Sequence, residues 1–127
     1  MAAPTTAVES LIRAYAERYS AQDAEGTAVL CEAPFLAIRG GVAIHLADRD
    51  AVRDHFASMM AAYRGQGAAT WTPVEIDTRP IGAFSAFATV RWNATDDQGE
   101  VLRDTRTTYH LLGGEAGWRF LSYTNHF

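Results

Sequence analysis

Residues 117–127 read GWRFLSYTNHF. Trp118, Phe120, Leu121, Tyr123 and Phe127 are side chains that seek burial, and Ser122, Thr124, Asn125 and His126 are threaded between them. Rings interleaved with hydrogen-bonding groups suit a pleated, half-buried surface, so the stretch reads as an interior strand and not as a fraying tail. The same patterning runs backwards through the chain. It predicts strands over Thr70–Ile81, Phe84–Thr95 and Val101–Leu112. Between them stand Arg79-Pro80-Ile81-Gly82, Asp96-Asp97-Gln98-Gly99 and Gly113-Gly114-Glu115-Ala116-Gly117, all turn-forming. Strands in succession with short turns make an antiparallel meander.

Before Gly67 the period changes. Val8, Leu11, Ile12, Tyr15 and Tyr19 recur at offsets of three and four, with Glu9, Arg13, Glu17 and Arg18 mostly opposite. That predicts an amphipathic helix from Thr6. Asp23 is placed to cap a short second helix through Val29 and Leu30, with Pro34 as its stop. FLAIRGGVAIHLA (35–47) reads as two short strands joined by Arg39-Gly40-Gly41. Asp48 or Asp50 caps a third helix carrying Val52, His55, Phe56, Met59 and Tyr63 at helical spacing, ended by Gly65 and Gly67. The expected class is α+β, with three N-terminal helices packed on one face of a curved antiparallel or mixed sheet of about six strands. One domain is expected, spanning residues 1–127.

Charge and composition narrow the function. A net charge of −4 argues against a nucleic-acid or anionic-membrane partner. All eleven Lys+Arg positions are arginine, which excludes a Schiff-base or phosphate-loop lysine. Cys31 is alone beside Leu30, so no intrachain disulfide forms and the residue reads as a buried thiol. No stretch approaches the roughly 20 apolar residues of a membrane span. MAAPTTAVES (1–10) lacks the basic start and apolar run of a secretory signal, so a cytoplasmic setting is expected. His45, His55, His110 and His126 are not at metal-ligand spacing, and no HExxH or G-x-S-x-G occurs. No metal and no cofactor are expected.

Three landmarks occur in order: a first helix running into YSAQDAEG (19–26), a helix beginning near ADRDAVRDHF (47–56), and GWRFLSY (117–123) after a Gly-rich hairpin. Together they resemble the NTF2-like superfamily, in particular its SnoaL-like and ketosteroid-isomerase-like branch, over essentially the whole chain. The resemblance implies a cone: a curved sheet wrapped round a pocket, plugged by helices and often paired into dimers. It also implies a role for Tyr15, which stands eight residues before Asp23, as the isomerases' enolate-binding tyrosine stands before their aspartate. A donor held in a dry cavity binds growing negative charge well. The isomerases' base carboxylate has no counterpart, since Phe35, Leu36, Ala37, Ile38 and Arg39 contain no Asp or Glu. Tyr15 therefore reads either as a pocket donor or as plain core.

Hairpin registers group the remaining polar residues. With Asp96–Gly99 as a four-residue loop, Arg91 faces Asp104, Thr89 faces Arg106, Trp92 faces Arg103 and Ala86 faces Tyr109. With Gly113–Gly117 looped out, Leu112 faces Trp118, Asp104 faces His126 and Thr107 faces Tyr123. One face then carries Arg91, Asp104, Arg106 and His126, and the other carries Trp92, Thr105, Thr107, Tyr109, Tyr123 and Asn125. Candidate ligand-binding residues are Tyr15, Tyr19, Trp92, Tyr109, Tyr123 and Asn125. Candidate acid–base residues are Tyr15, His45, His55, Asp104 and His126. The function these suggest is a small-molecule pocket, of isomerase or lyase type, for an apolar oxygenated substrate. The alternative is a non-catalytic ligand-binding or dimerisation module. A homodimer is expected because strands such as Phe84–Thr95 and Gly117–Phe127 carry apolar residues on both faces.

Overall fold

The structure, a computed structural model, describes residues 4–127. The first three residues of the expected 1–127 domain lie outside the described residues. In chain order the elements are α1 (Pro4–Ser20), α2 (Ala24–Ala28), β1 (Cys31–Arg39), β2 (Val42–Leu46), α3 (Arg49–Gly65), β3 (Thr70–Ile81), β4 (Ser85–Thr95), β5 (Val101–Gly114) and β6 (Gly117–Asn125). Among the described residues the strands form one sheet in the order β2-β1-β6-β5-β4-β3. The meander supplies the antiparallel pairs, and β1 lies parallel to β6, so the sheet is mixed.

Local chemistry sets the element ends. Asp23 accepts from the Gly26 N–H at 2.8 Å and Asp48 from the Ala51 N–H at 2.9 Å, each capping the helix it precedes. Gly40 and Gly41, at φ of 54° and 79°, make the left-handed turn that joins β1 to β2. Pro34 does not stop α2. That helix ends at Ala28, the Leu30 carbonyl already accepts from the Phe120 N–H at 2.9 Å, and Pro34 lies inside β1. It falls where the β1–β6 ladder is interrupted between Cys31 and Leu36, a position suited to a residue with no N–H to donate.

The β4–β5 register differs from expectation by two residues, and the β5–β6 register by one beside its turn and by two beyond the slip. Asp96 accepts from the N–H groups of Gln98 and Glu100, and its own N–H bonds the Glu100 carbonyl, so the loop is one residue longer than the four expected. A register shift between Ala94 and Thr95 adds another. Arg91 therefore faces Arg106, Thr89 faces Thr108, Trp92 faces Thr105 and Tyr109 faces Ala88. At the other hairpin only Glu115 and Ala116 form the turn, and the register slips between His110 and Leu111. Gly113 faces Trp118, Leu112 faces Arg119, Tyr109 faces Tyr123 and Thr107 faces Asn125. Asp104 is left without His126 opposite it, because the His126 N–H bonds the Arg106 carbonyl. Two residues is an even number, so β4, β5 and the end of β6 keep the faces their parity dictates, whereas the slip opposite Leu111 turns Phe120 inward along with Tyr123.

The concave face buries Ala86, Ala88, Val90 and Trp92 from β4 with Tyr109, Leu111, Phe120 and Tyr123 from β5 and β6. Val8, Ile12, Tyr15, Ala16 and Tyr19 of α1 and Val52, Phe56 and Met60 of α3 close over it. Each fully buried side chain of this size is worth about 1.5–3 kcal/mol relative to exposure. The Trp71 N–H donates to Ser20 Oγ at 2.9 Å and ties the end of α1 to β3.

Candidate functional site

The alanines of β4 leave room above the sheet, and rings fill most of it. Tyr15 lies within 6.0 Å, centroid to centroid, of Tyr19, Phe56, Trp92, Tyr109 and Phe120. What stays unfilled is a cavity of about 60 Å³. All five tyrosines of the chain line it: Tyr15 and Tyr19 from α1, Tyr63 from α3, Tyr109 from β5 and Tyr123 from β6. Trp71, Trp92, Phe56, Met59 and Phe127 complete the apolar wall, with Thr105, Thr107, Asn125 and Arg39 as the other polar groups. An apolar cavity that holds benzene is roughly 150 Å³. This one encloses a polar end group, and a whole ring enters only if side chains move.

The hydroxyls are partly engaged by neighbouring side chains. Trp92 Nε1 donates to Tyr109 Oη at 3.1 Å, and Thr107 Oγ1 donates to Asn125 Oδ1 at 3.0 Å. Tyr123 Oη lies 2.6 Å from His55 Nε2. Arg39 donates to the Tyr63 hydroxyl at 3.3 Å and to the Met59 thioether, and its guanidinium lies 5.9 Å from the Phe127 ring centroid. Burial pushes the phenols of Tyr15, Tyr19, Tyr109 and Tyr123 up, so all four are protonated donors at neutral pH. His55 is pushed down, first by burial and then by the charge on Arg39, and stands neutral at pH 7. Burial holds the Cys31 thiol up at about 12, which makes it inert.

The structure gathers Tyr15, Tyr19, Trp92, Tyr109, Tyr123 and Asn125 around the cavity and sets His55 behind Tyr123. It does not bring the other named residues there. His45 is exposed on β2. Asp104 is on the convex face, bonded to Arg91 at 2.7 Å, and His126 is exposed with Nε2 2.6 Å from Thr108 Oγ1. None of the described lining residues is Asp or Glu. Among the described residues no three His, Cys, Asp or Glu are placed to hold a metal, and no helix is long and apolar enough to cross a membrane.

Sequence reasoning passed over Arg39, Tyr63, Met59, Trp71 and Phe127. Arg39 follows Phe35 and Ala37 by alternation along β1, and both of those are buried, so it shares the concave face. Tyr63 follows Phe56 by seven on α3 and carries the apolar stripe to the cavity mouth.

A curved mixed sheet closed by three helices over an aromatic cavity defines an NTF2-like architecture. The chain belongs to the family of NTF2-like proteins (DUF6841), whose model matches residues 6–127. It is similar to a domain of unknown function with a cystatin-like fold from Nostoc punctiforme (TM-score 0.79, 19% identity, 98% of this chain and 77% of that one). It is similar also to an NTF2-like protein with a cystatin-like fold from Novosphingobium aromaticivorans (0.77, 18%, 95% and 79%). A third is Aln2 from a Streptomyces species (0.74, 17%, 98% and 92%). At these identities the likeness is one of fold. No curated protein matches the chain.

Proposed function

We propose that the protein is a small-molecule pocket protein of the SnoaL-like kind, which takes the oxygen-bearing end of a flat, largely apolar molecule into its cone. The observation that carries this is the convergence of every tyrosine in the chain on one cavity. Buried hydroxyls without partners cost roughly 1–3 kcal/mol each, and a carbonyl oxygen is an acceptor that several of them could share. The test is a calorimetric titration with benzamide, a neutral carbonyl on a flat ring. Wild type is expected to bind it, and Tyr15→Phe to weaken binding about tenfold, or roughly 1.4 kcal/mol, while the thermal midpoint barely moves. If benzamide does not bind, or binds Tyr15→Phe equally well, Tyr15 is core and not a pocket donor.

A second reading makes the same pocket an isomerase or lyase, and the Tyr123–His55 contact favours it. A carbon acid whose carbonyl is held by the hydroxyls would give its proton to Tyr123 Oη as the Tyr123 proton passes to His55 Nε2. The products are an enolate and an imidazolium. Returning the proton to another carbon is isomerisation, and expelling a β-substituent is elimination. Without that transfer the protein is a non-catalytic binder. In either case we place it in the cytoplasm, where a lone thiol such as Cys31 stays reduced, and pair it with a second copy through the convex face. Phe84, Phe87 and Leu112 stand exposed there, Phe84 by 69%.

A further inference from the structure

We infer that the pocket is selective for a monoanion, and specifically for the carboxylate of a small aromatic acid, through Arg39; this rests on the pocket reading above and names its ligand class. Among the described lining residues Arg39 is the one charged side chain, and no carboxylate comes within salt-bridge distance of it. Its companions are all neutral: the Met59 thioether, the Tyr63 hydroxyl at 3.3 Å, the Tyr123 hydroxyl and the Phe127 ring. A thioether is a weak acceptor, and a guanidinium carries five N–H donors, so most of the fork is left without a strong partner. A half-buried charge with only neutral neighbours has lost solvent without gaining a counter-ion, and an incoming carboxylate supplies one.

The geometry points to a carboxylate over other anions. One planar fork matches one planar carboxylate, two N–H groups to two oxygens. One positive charge balances one negative charge, whereas His55 is held neutral beside it and adds none. The cavity of about 60 Å³ encloses an end group of this size, with the ring of the acid lying at the mouth among Tyr63, Trp71 and Phe127. Tyr63 and Trp71 already meet edge to face there, with centroids 5.0 Å apart.

Benzoate and benzamide differ in charge and hardly in shape, so their comparison at pH 7 isolates Arg39. Wild type is expected to bind benzoate at least tenfold tighter than benzamide. Arg39→Gln should abolish that preference, by calorimetry, with an unchanged thermal midpoint as the control for folding. Should Arg39→Gln fail to fold, the salt dependence of wild type decides: raising ionic strength should weaken benzoate and leave benzamide alone. Equal affinity for the two ligands, or a benzoate preference that survives Arg39→Gln, overturns the assignment to Arg39 and leaves the pocket standing. If neither ligand binds, the pocket reading falls and the ligand class with it.

Discussion

Alternate residues of β4 and β5 write two faces with different chemistry. On the convex face polar groups answer to one another along the surface. Arg91 bonds Asp104 at 2.7 Å and Glu75 at 3.1 Å, Thr89 bonds Thr108 at 2.8 Å, and Ser85 bonds His110 at 2.9 Å. On the concave face the same strands present alanines, Val90, Trp92, Tyr109 and Leu111, and the polar tips point at a cavity. The difference lies in where compensation comes from. Outside, Arg91 has Asp104 and Glu75 on the strands beside it and water around it, so little depends on any one pair. Inside, Arg39 and the tyrosine hydroxyls have only neutral partners, so an oxygen-bearing molecule entering the cone meets donors that no opposite charge has engaged.

The sharpest way to break this comparison is to cut the same side chain from both faces. Leu111 is fully buried and its neighbour Leu112 is 43% exposed. Leu111→Ala should cost about 2–5 kcal/mol in urea unfolding, and Leu112→Ala, measured below the concentration at which two copies pair, should stay within about 0.5 kcal/mol. Similar losses would mean that the convex face is as buried in solution as the concave one.

The histidine–hydroxyl pairs sharpen the contrast at a smaller scale. If Tyr123 and His55 move protons, α-deuterated acetophenone should lose its label in wild type, and His55→Gln should slow that loss about a hundredfold. His110→Gln, which breaks the convex pair with Ser85, should change nothing. The pH sign follows from His55 being held below its ordinary 6.5. The neutral form is the working one, so exchange is at its full rate at pH 7 and falls as pH drops through that lowered value. No exchange above the buffer rate would leave the protein a binder.

The smallest of the three effects concerns the convex apolar patch. Light scattering should give twice the 13.9 kDa chain mass at micromolar concentration. Phe87→Asp should raise the dissociation constant by at least tenfold, roughly 1.4 kcal/mol. A monomeric wild type would leave that patch unexplained and remove the second copy from the proposal.

The legible parts were those governed by period. Helical spacing from Val8 to Tyr19 and from Val52 to Tyr63 located α1 and α3, and parity along β4 to β6 sorted the faces. What parity cannot see is an added residue in a loop and another in a bulge. The Asp96 turn and the bulge beside it moved the partners and kept the faces, whereas the slip beside Leu111 turned Phe120 inward along with Tyr123. Arg39 was hidden for another reason: beside two glycines it reads as turn chemistry, although its own side chain belongs to the strand. His45 drew attention by residue type, and Asp104 and His126 by a register that set them opposite each other. Their distance from the cavity is set by the β2 edge and by ion pairing and hydroxyl bonding on the outer face.

The place of β6 has a consequence for how the chain folds. β1 is hydrogen-bonded to β2 on one side and to β6 on the other, so β6 is the backbone link between that hairpin and the meander. The Arg119 side chain that reaches the Cys31 carbonyl spans 88 positions of sequence. Closing a loop of that length costs roughly 4 kcal/mol of chain entropy, beyond a constant, before any pairing repays it. The hairpin and the β3–β4–β5 ladder are assembled from near neighbours and can form early, whereas the seam between them is non-local. The sheet therefore matures as two local pieces whose union waits on a single strand.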